Sequence, residues 1–368
     1  MISPVFAVLL AFAANPAVPE PLIPGPQIEF QTFAGYDYYT AGDGFGEFEL
    51  GRAELGLAGA HPAPLGYELR LEAIRAAGRE SVTGVDGDSL VLRVKRAWGS
   101  AGAELFGVRG DLRLGLIADP WVEAAESGYP LRDLSAMSAE RRRFFDAADL
   151  GIGAVVSAFD ERLFVRMALT NGEGRNEIEQ NEGKSSTFAL SSEVLRFEVL
   201  GERGVLALHA GYRNGSRGLG DAREDRFALA LTFAHPRFSA GAEYVRAMGI
   251  DARPDREADA LGGWATGYAW PRWLGFAARH DHDRLDLDAD GATRDRLTAA
   301  VFVELAGPMK TPDLERFRVY AGAERVNASQ SGAALPGAPE ASDPDRFFLT
   351  LSFNAEHIIS DSPRETPP

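Results

Sequence analysis

The segment Arg346-Phe347-Phe348-Leu349-Thr350-Leu351-Ser352-Phe353 puts Phe347, Leu349, Leu351 and Phe353 on one side of an extended chain. Phe348, Thr350 and Ser352 fall on the other side. Side chains alternate across a β-strand with a period of two, so one face meets an apolar medium and the other does not. Working back from this segment to residue 28, the same alternation recurs in stretches of roughly 9–11 residues, the length a tilted strand needs to cross a bilayer. Ordinary strands run about 5–6 residues. The pattern predicts an all-β, transmembrane antiparallel β-barrel.

The strands expected in order are 28–39, 45–59, 65–75, 90–98, 106–117, 150–159, 162–171 and 187–200. They continue as 205–213, 226–234, 237–247, 258–269, 273–282, 294–305, 315–326 and 346–357. About sixteen strands is an even number, as a single-chain bacterial barrel requires. The connections sort into two classes. Gly99-Ser100-Ala101, Asp160-Glu161, Gly201–Gly204, His235-Pro236 and Pro271-Arg272 are short. Ala76–Ser89, Ala118–Asp149, Gly172–Ser186, Asn214–Asp225 and Asn327–Asp345 are long. Short turns on one side and long loops on the other are the habit of outer-membrane barrels. The first external loop is short and Ala306–Leu314 is long for a turn, the two breaks in the rule.

A charge on the lipid face near the midplane costs about 2–4 kcal/mol for Arg or Lys, which fixes the phase of each strand. Leu90, Leu92 and Val94 face lipid, with Arg93 and Lys95 inward. Leu112, Leu114 and Leu116 face lipid, with Arg109, Asp111 and Arg113 inward. Leu163, Val165, Met167 and Leu169 oppose Arg162 and Arg166, and Phe317 and Val319 oppose Arg316, Arg318 and Glu324. The inward face is expected to line water. Glu68, Glu72, Glu243 and Glu304 are expected there too, giving a lumen of mixed sign. Tyr36, Tyr38, Tyr39, Trp98, Trp264, Trp270 and Trp273 fall near strand ends, where amphipathic rings suit the membrane interface.

The 45% hydrophobic and 25% charged composition fits strands that are apolar on one side only. The net charge of −16 argues against nucleic-acid binding, which favours a basic surface. The chain has no cysteine and 40 glycines. Val5–Ala14 is an apolar stretch with a small-x-small cleavage pattern at Ala11-Phe12-Ala13, read as a signal peptide over residues 1–14. Residues 15–27 form a Pro-rich leader, 28–357 the barrel and 358–368 a short tail.

Three segments follow one another in an informative order: Val108-Arg109-Gly110-Asp111-Leu112-Arg113-Leu114-Gly115-Leu116, then the long 118–149 connection, then Asp149-Leu150-Gly151-Ile152. A later strand ends in Asn171-Gly172-Glu173-Gly174, and Leu50–Gly59 precedes them all. Together these resemble the phosphate-selective porin O and P family of Gram-negative outer membranes. The resemblance implies a trimeric, sixteen-stranded pore in which the third external loop folds into the lumen, passing small hydrophilic solutes, anions such as phosphate among them. It also implies arginines and lysines at the constriction. Here those are Arg132, Arg141, Arg142 and Arg143 in the loop, beside Arg93, Lys95, Arg109, Arg113 and Arg166. Guanidinium groups bind oxyanions bidentately, and basic rings bias a pore toward anions. The loop arginines either line a constriction or pair with Glu123, Glu126, Asp133 and Glu140 of the same loop.

No catalytic residue, cofactor or metal ligand set is expected. Asp281, Asp283, Asp286, Asp288 and Asp290-Gly291 imitate a calcium loop, but the twelfth position from Asp286 is Leu297, where a bidentate Glu is needed. His209, His280 and His282 lack zinc-site spacing. A barrel lipase would need a Ser beside a His on neighbouring strands, and no such pair is apparent. A soluble secreted β-protein is the remaining alternative, and it predicts extraction without detergent.

Overall fold

The computed structural model describes residues 26–40, 44–61, 65–76, 89–174, 183–217, 222–250, 253–270, 273–287, 292–305, 314–329 and 345–358. The expected signal peptide, most of the Pro-rich leader, the tail beyond 358 and the Asp288–Gly291 part of the acidic loop lie outside them. The strands are β1 (Gln27–Tyr39), β2 (Phe45–His61), β3 (Leu65–Ala76), β4 (Ser89–Leu105), β5 (Val108–Ala118) and β6 (Ala148–Ala158). Next come β7 (Leu163–Thr170), β8 (Ser185–Val199), β9 (Glu202–Asn214), β10 (Ser216–Arg217), β11 (Ala222–Arg223) and β12 (Asp225–His235). The last are β13 (Phe238–Ile250), β14 (Arg253–Trp270), β15 (Leu274–Arg284), β16 (Thr293–Glu304), β17 (Leu314–Ala328) and β18 (Arg346–Ile358). The helix α1 (Pro120–Glu126) and a single helical turn, Ser138–Arg141, lie between β5 and β6.

Sixteen of these strands close into one antiparallel barrel, with β10 and β11 forming a small separate hairpin. Closure is made by β1 and β18, paired from Gln27↔Ile358 to Tyr39↔Arg346. This leaves no free sheet edge, the condition for crossing a bilayer with strands. The deciding segment behaves as its alternation demands. Phe347, Leu349 and Leu351 are exposed on the outside, whereas Phe348 and Ser352 are buried inside. The distribution is general: Leu90, Leu92, Leu114, Leu229, Leu261, Phe276 and Val301 are exposed, while Glu54, Lys95, Glu243, Asp281 and Arg279 are buried. Apolar residues outside and charges inside is the reverse of a water-soluble protein. No described helix is long and apolar enough to cross a membrane.

The turns sit where two-residue hairpins can form. Phe106-Gly107 and Leu200-Gly201 both have positive φ at their two central residues, 53° and 74° in the first, 53° and 75° in the second. That is the mirror-image turn whose twist matches a strand pair. The first of these corrects the expected turn at Gly99-Ser100-Ala101. Those small residues lie inside β4, paired with Leu114, Arg113 and Leu112 of β5. Small residues suit a turn, but these three keep the period of two and stay in the ladder. Trp98 and Trp264 are corrected as well: both are buried in the lumen rather than at the membrane interface. Trp98 Nε1 donates to Glu68 Oε2 at 2.9 Å. Trp270 and Trp273 are exposed at the short β14–β15 connection.

The lumen is not wet all round. The inner faces of β12 to β16 carry Ala228, Ala230, Val245, Ala247, Ala258, Ala260, Ala277 and Ala300, all buried. They form one apolar core with Trp121, Tyr129, Leu131, Met137, Phe144 and Phe145 of the β5–β6 connection. The loop therefore folds inward and lies on an alanine wall.

Candidate functional site

The site is the space between this inward loop and the rest of the barrel wall. The loop begins at Asp119, whose carboxylate Oδ1 accepts from the Trp121 and Val122 amides at 2.8 and 3.3 Å. Pro120 occupies the first turn of α1, where its missing N–H is no loss. Burial raises the Asp119 carboxyl to about 7 against the opposing pull of Arg213. Trp121 then lies over β9 at Gly211, where an added Cβ would sit 2.5 Å from the indole Cε3. Only glycine leaves room for that contact. Tyr129 packs edge-on to Trp264, ring centroids 5.0 Å apart. Each fully buried Leu, Met or Phe contributes about 1.5–3 kcal/mol, so this apolar face holds the loop.

Polar clamps finish the attachment. Ser138 N donates to Glu243 Oε2 at 2.8 Å and Ser138 Oγ to Asp281 Oδ1 at 2.8 Å. Arg279 reaches Ser138 Oγ at 3.0 Å, Asp281, and the Tyr129 hydroxyl. Arg141 binds Asp281 at 3.0 Å and Arg142 binds Asp283 at 2.5 Å. The Tyr320 hydroxyl donates to Asp133 Oδ2 at 2.7 Å. The opposite face of the loop is acidic and meets the β4–β7 wall. Glu123 accepts from Arg113 at 3.0 Å and lies 3.6 Å from Arg166. Burial opposes ionisation of Glu123, yet Arg113 and Arg166 hold its carboxyl below the usual range.

The arginines and the lysine expected at a constriction are therefore mostly paired. Arg93 binds Glu72 at 2.6 Å, Lys95 binds Glu54 at 2.5 Å, and Arg113 also binds Asp111 at 2.9 Å. Arg132 is bidentate to Glu140 at 2.7 and 3.0 Å and also meets Glu126. That one pairing stays inside the loop; Arg141 and Arg142 pair with the barrel wall. Arg109 stands apart at the turn end, beside Glu104 and Glu161. Arg166 also donates to Ser191 Oγ at 3.2 Å. Arg143 is exposed, with φ of 54°, and makes no ion pair among the described residues.

The arc from β17 through β1 to β4 brings together further inward arginines that the sequence reading did not single out: Arg52, Arg70 and Arg346. Arg70 bridges Glu29 at 2.5 Å, Glu68 at 3.1 Å and Glu54 at 3.3 Å. Arg346 binds Asp37 at 2.6 Å and Glu324 at 3.3 Å. The strand phase that places Arg93 inward also places these, so the signal was present. Within this arc the pairs are layered. The side chains of Arg52, Arg70, Arg93 and Arg346 keep 17, 17, 19 and 22% of their surface exposed. Those of Glu54, Glu72 and Asp37 beneath them keep 2, 4 and 5%. Guanidinium groups form much of the surface that the lumen meets, with Glu29 at 28% exposed among them, and Glu54, Glu72 and Asp37 form its floor. On the loop the sense reverses, with Glu123 and Glu126 at 27 and 20%.

One Ser–His pair exists after all. Ser191 and His209 are cross-strand partners, with Ser191 Oγ 3.0 Å from Nδ1. The register follows from the turn at Leu200-Gly201 and a bulge between Glu193 and Leu195, neither legible beforehand. The other nitrogen of His209 is taken by Thr232 at 3.1 Å. Both ring nitrogens are occupied by hydroxyls, so no carboxylate orients the ring as a hydrolase would need. His282 and His280 lie 2.9 and 3.4 Å from Asp295. Asp281 and Asp283 serve the loop clamps, and Asp286 lies 3.5 Å from Arg256. No group of three or more His, Cys, Asp or Glu among the described residues could hold a metal.

No family model matches the sequence, and comparison with curated proteins gives no match. Solved structures do match over nearly the whole chain. The anion-selective porin of Comamonas acidovorans superposes with a TM-score of 0.59 at 10% identity, covering 90% of this chain and 99% of that one. OmpF of Salmonella typhi, in complex with daunomycin, gives 0.61 at 12% identity, covering 89% and 97%. OmpT of Vibrio cholerae, an outer-membrane protein in its trimer form, gives 0.54 at 13% identity, covering 89% and 98%. At such identities the likeness is one of fold, and that fold is the sixteen-stranded barrel of Gram-negative outer-membrane porins.

Proposed function

We propose that this protein is an outer-membrane porin, a passive diffusion channel for small hydrophilic solutes with a preference for anions, phosphate-like oxyanions among them. The observation that carries the reading is the layering of the β17–β4 arc, in which guanidinium groups lie over buried carboxylates. A passing ion meets these donors ahead of Glu54, Glu72 and Asp37 beneath them, with Glu29, a paired acceptor of Arg70, standing beside them at the surface. Arg side chains also match the geometry of oxyanions. The preference is modest, because the floor carboxylates cancel much of the far field and the loop contributes Glu123 and Glu126 from the other side. The resemblance to porin O and P supports the same solute class and a homotrimer. Export to the outer membrane by the N-terminal signal peptide belongs to this reading.

Reversal potentials in planar bilayers under a salt gradient test it. Wild-type protein is expected to pass chloride ahead of potassium, and added phosphate to lower the chloride current. Arg70→Gln with Arg93→Gln should move the reversal potential toward zero. A cation-selective wild type would sink the anion reading, and absence of any current would sink the channel.

A further inference from the structure

Three consecutive short turns on one flank of the barrel share an unusual choice of residue. Phe106 joins β4 to β5, Phe159 joins β6 to β7 and Leu200 joins β8 to β9. All three have positive φ, 53°, 57° and 53°. That backbone region favours Gly, Asn or Asp, and a bulky apolar residue there is an outlier that local energetics does not explain. Nor does packing explain it, since the three side chains are 95, 71 and 66% exposed. Strained and solvent-facing at once, they gain nothing within the chain itself.

Strand length at the middle turn, and the apolar outer surface at the other two, point to the missing partner. The neighbouring β7 has only 8 residues, and β5 and β6 have 11 each. At about 3.3 Å per residue and a tilt near 40°, eight residues rise roughly 20 Å, less than the apolar band of about 25 Å, and eleven rise roughly 28 Å, barely more than it. The turn after β6 therefore cannot stand far clear of the hydrocarbon, whereas β4, β8 and β9, with 17, 15 and 13 residues, are long enough to carry theirs clear. The tips also continue the outer apolar surface, through Leu105 beside Phe106 and Val194, Leu195 and Phe197 above Leu200. We infer that Phe106, Phe159 and Leu200 are lipid anchors, inserted at the headgroup–acyl boundary of the leaflet on the turn side. This rests on the porin reading only in that the barrel spans a bilayer. Burial in lipid is the gain that offsets the strained conformation at each tip.

The chain contains no cysteine, so single labels can be placed cleanly. Phe106→Cys, Phe159→Cys and Leu200→Cys, each carrying a nitroxide, would be reconstituted in phosphatidylethanolamine–phosphatidylglycerol vesicles. Collision rates with oxygen and with a neutral nickel chelate report depth. Leu114→Cys, on the outward face of β5, serves as the bilayer reference, and Asp160→Cys, in the same turn as Phe159, as the aqueous one. The expected result is that the three tips collide with oxygen several-fold more than Asp160 does, and with nickel several-fold less. Tips that behave like Asp160 while Leu114 reports lipid would overturn the anchors and leave the barrel reading intact. Tips shielded from both reagents would also overturn them, in favour of a protein partner. A water-exposed Leu114 would overturn the bilayer itself.

Discussion

The inner wall of this barrel has two contrasting arcs built on the same strand geometry. From β12 to β16 it is rich in alanine covered by Trp121, Leu131, Met137 and Phe145 of the inward loop, with Glu243, Arg279, Asp281 and Asp283 buried among it as clamps. From β17 through β1 to β4 it is chiefly arginine over carboxylate, and the apolar core reaches it at Tyr320 of β17 and Phe348 of β18. The alternation of each strand is identical in the two arcs. What differs is the partner of the inner face: a packed loop selects small side chains, and water selects charged ones. Alanine is not a weak lumenal residue but the complement of a large aromatic one brought from elsewhere in the chain.

The clamps that hold the loop to the alanine-rich arc give the strongest way to break this contrast. Arg141→Ala with Arg142→Ala leaves Asp283 buried without its ion-pair partner and Asp281 with Arg279 and the Ser138 hydroxyl. Breaking a buried pair costs about 3–5 kcal/mol. The expected outcome is a loop open to protease between residues 119 and 147 and a larger single-channel conductance. If protection stays intact and only selectivity moves, these arginines belong with the arginine-rich arc.

Overpacking beneath the loop should act next. Gly211→Leu places atoms where the Trp121 ring lies, a misfit of about 1–3 kcal/mol. Reduced hydrogen-exchange protection of α1 with an unchanged barrel would confirm that the loop, not the strands, depends on this glycine. The effect of pH on the same helix is smaller. Burial raises Asp119 to about 7, so the packed loop binds that proton more tightly than an unpacked chain, whose carboxyl titrates near 4. The associated stabilisation is fully present below about pH 4 and is lost as pH rises through about 7. Asp119→Asn keeps a capping side chain and should flatten the pH dependence of α1 protection across that window. A profile as steep as wild type would assign the titration elsewhere.

Arg143→Ala sharpens the comparison at its border. The side chain is exposed and unpaired among the described residues, so stability should change by no more than about 0.5 kcal/mol. Any shift of the reversal potential should be smaller than that from Arg70→Gln with Arg93→Gln. A shift as large would make the loop, not the wall, the seat of selectivity.

Period-two alternation over strands long enough to cross a membrane was sufficient to specify the closed barrel, its sixteen strands and which residues meet lipid. A lipid-facing charge is so costly that each strand has one permissible phase, and that constraint is local. It placed Arg93, Lys95, Arg113 and Arg166 inward, and applied evenly it would have placed Arg52, Arg70 and Arg346 there too. The fate of the inward face was not local. That Ala228 and Ala260 are dry, that Arg141 binds Asp281 140 residues away, and that Ser191 meets His209 all depend on strand register and on where the loop lands. Those are set by bulges, turn positions and barrel closure, which join residues distant in sequence through geometry that no short segment contains.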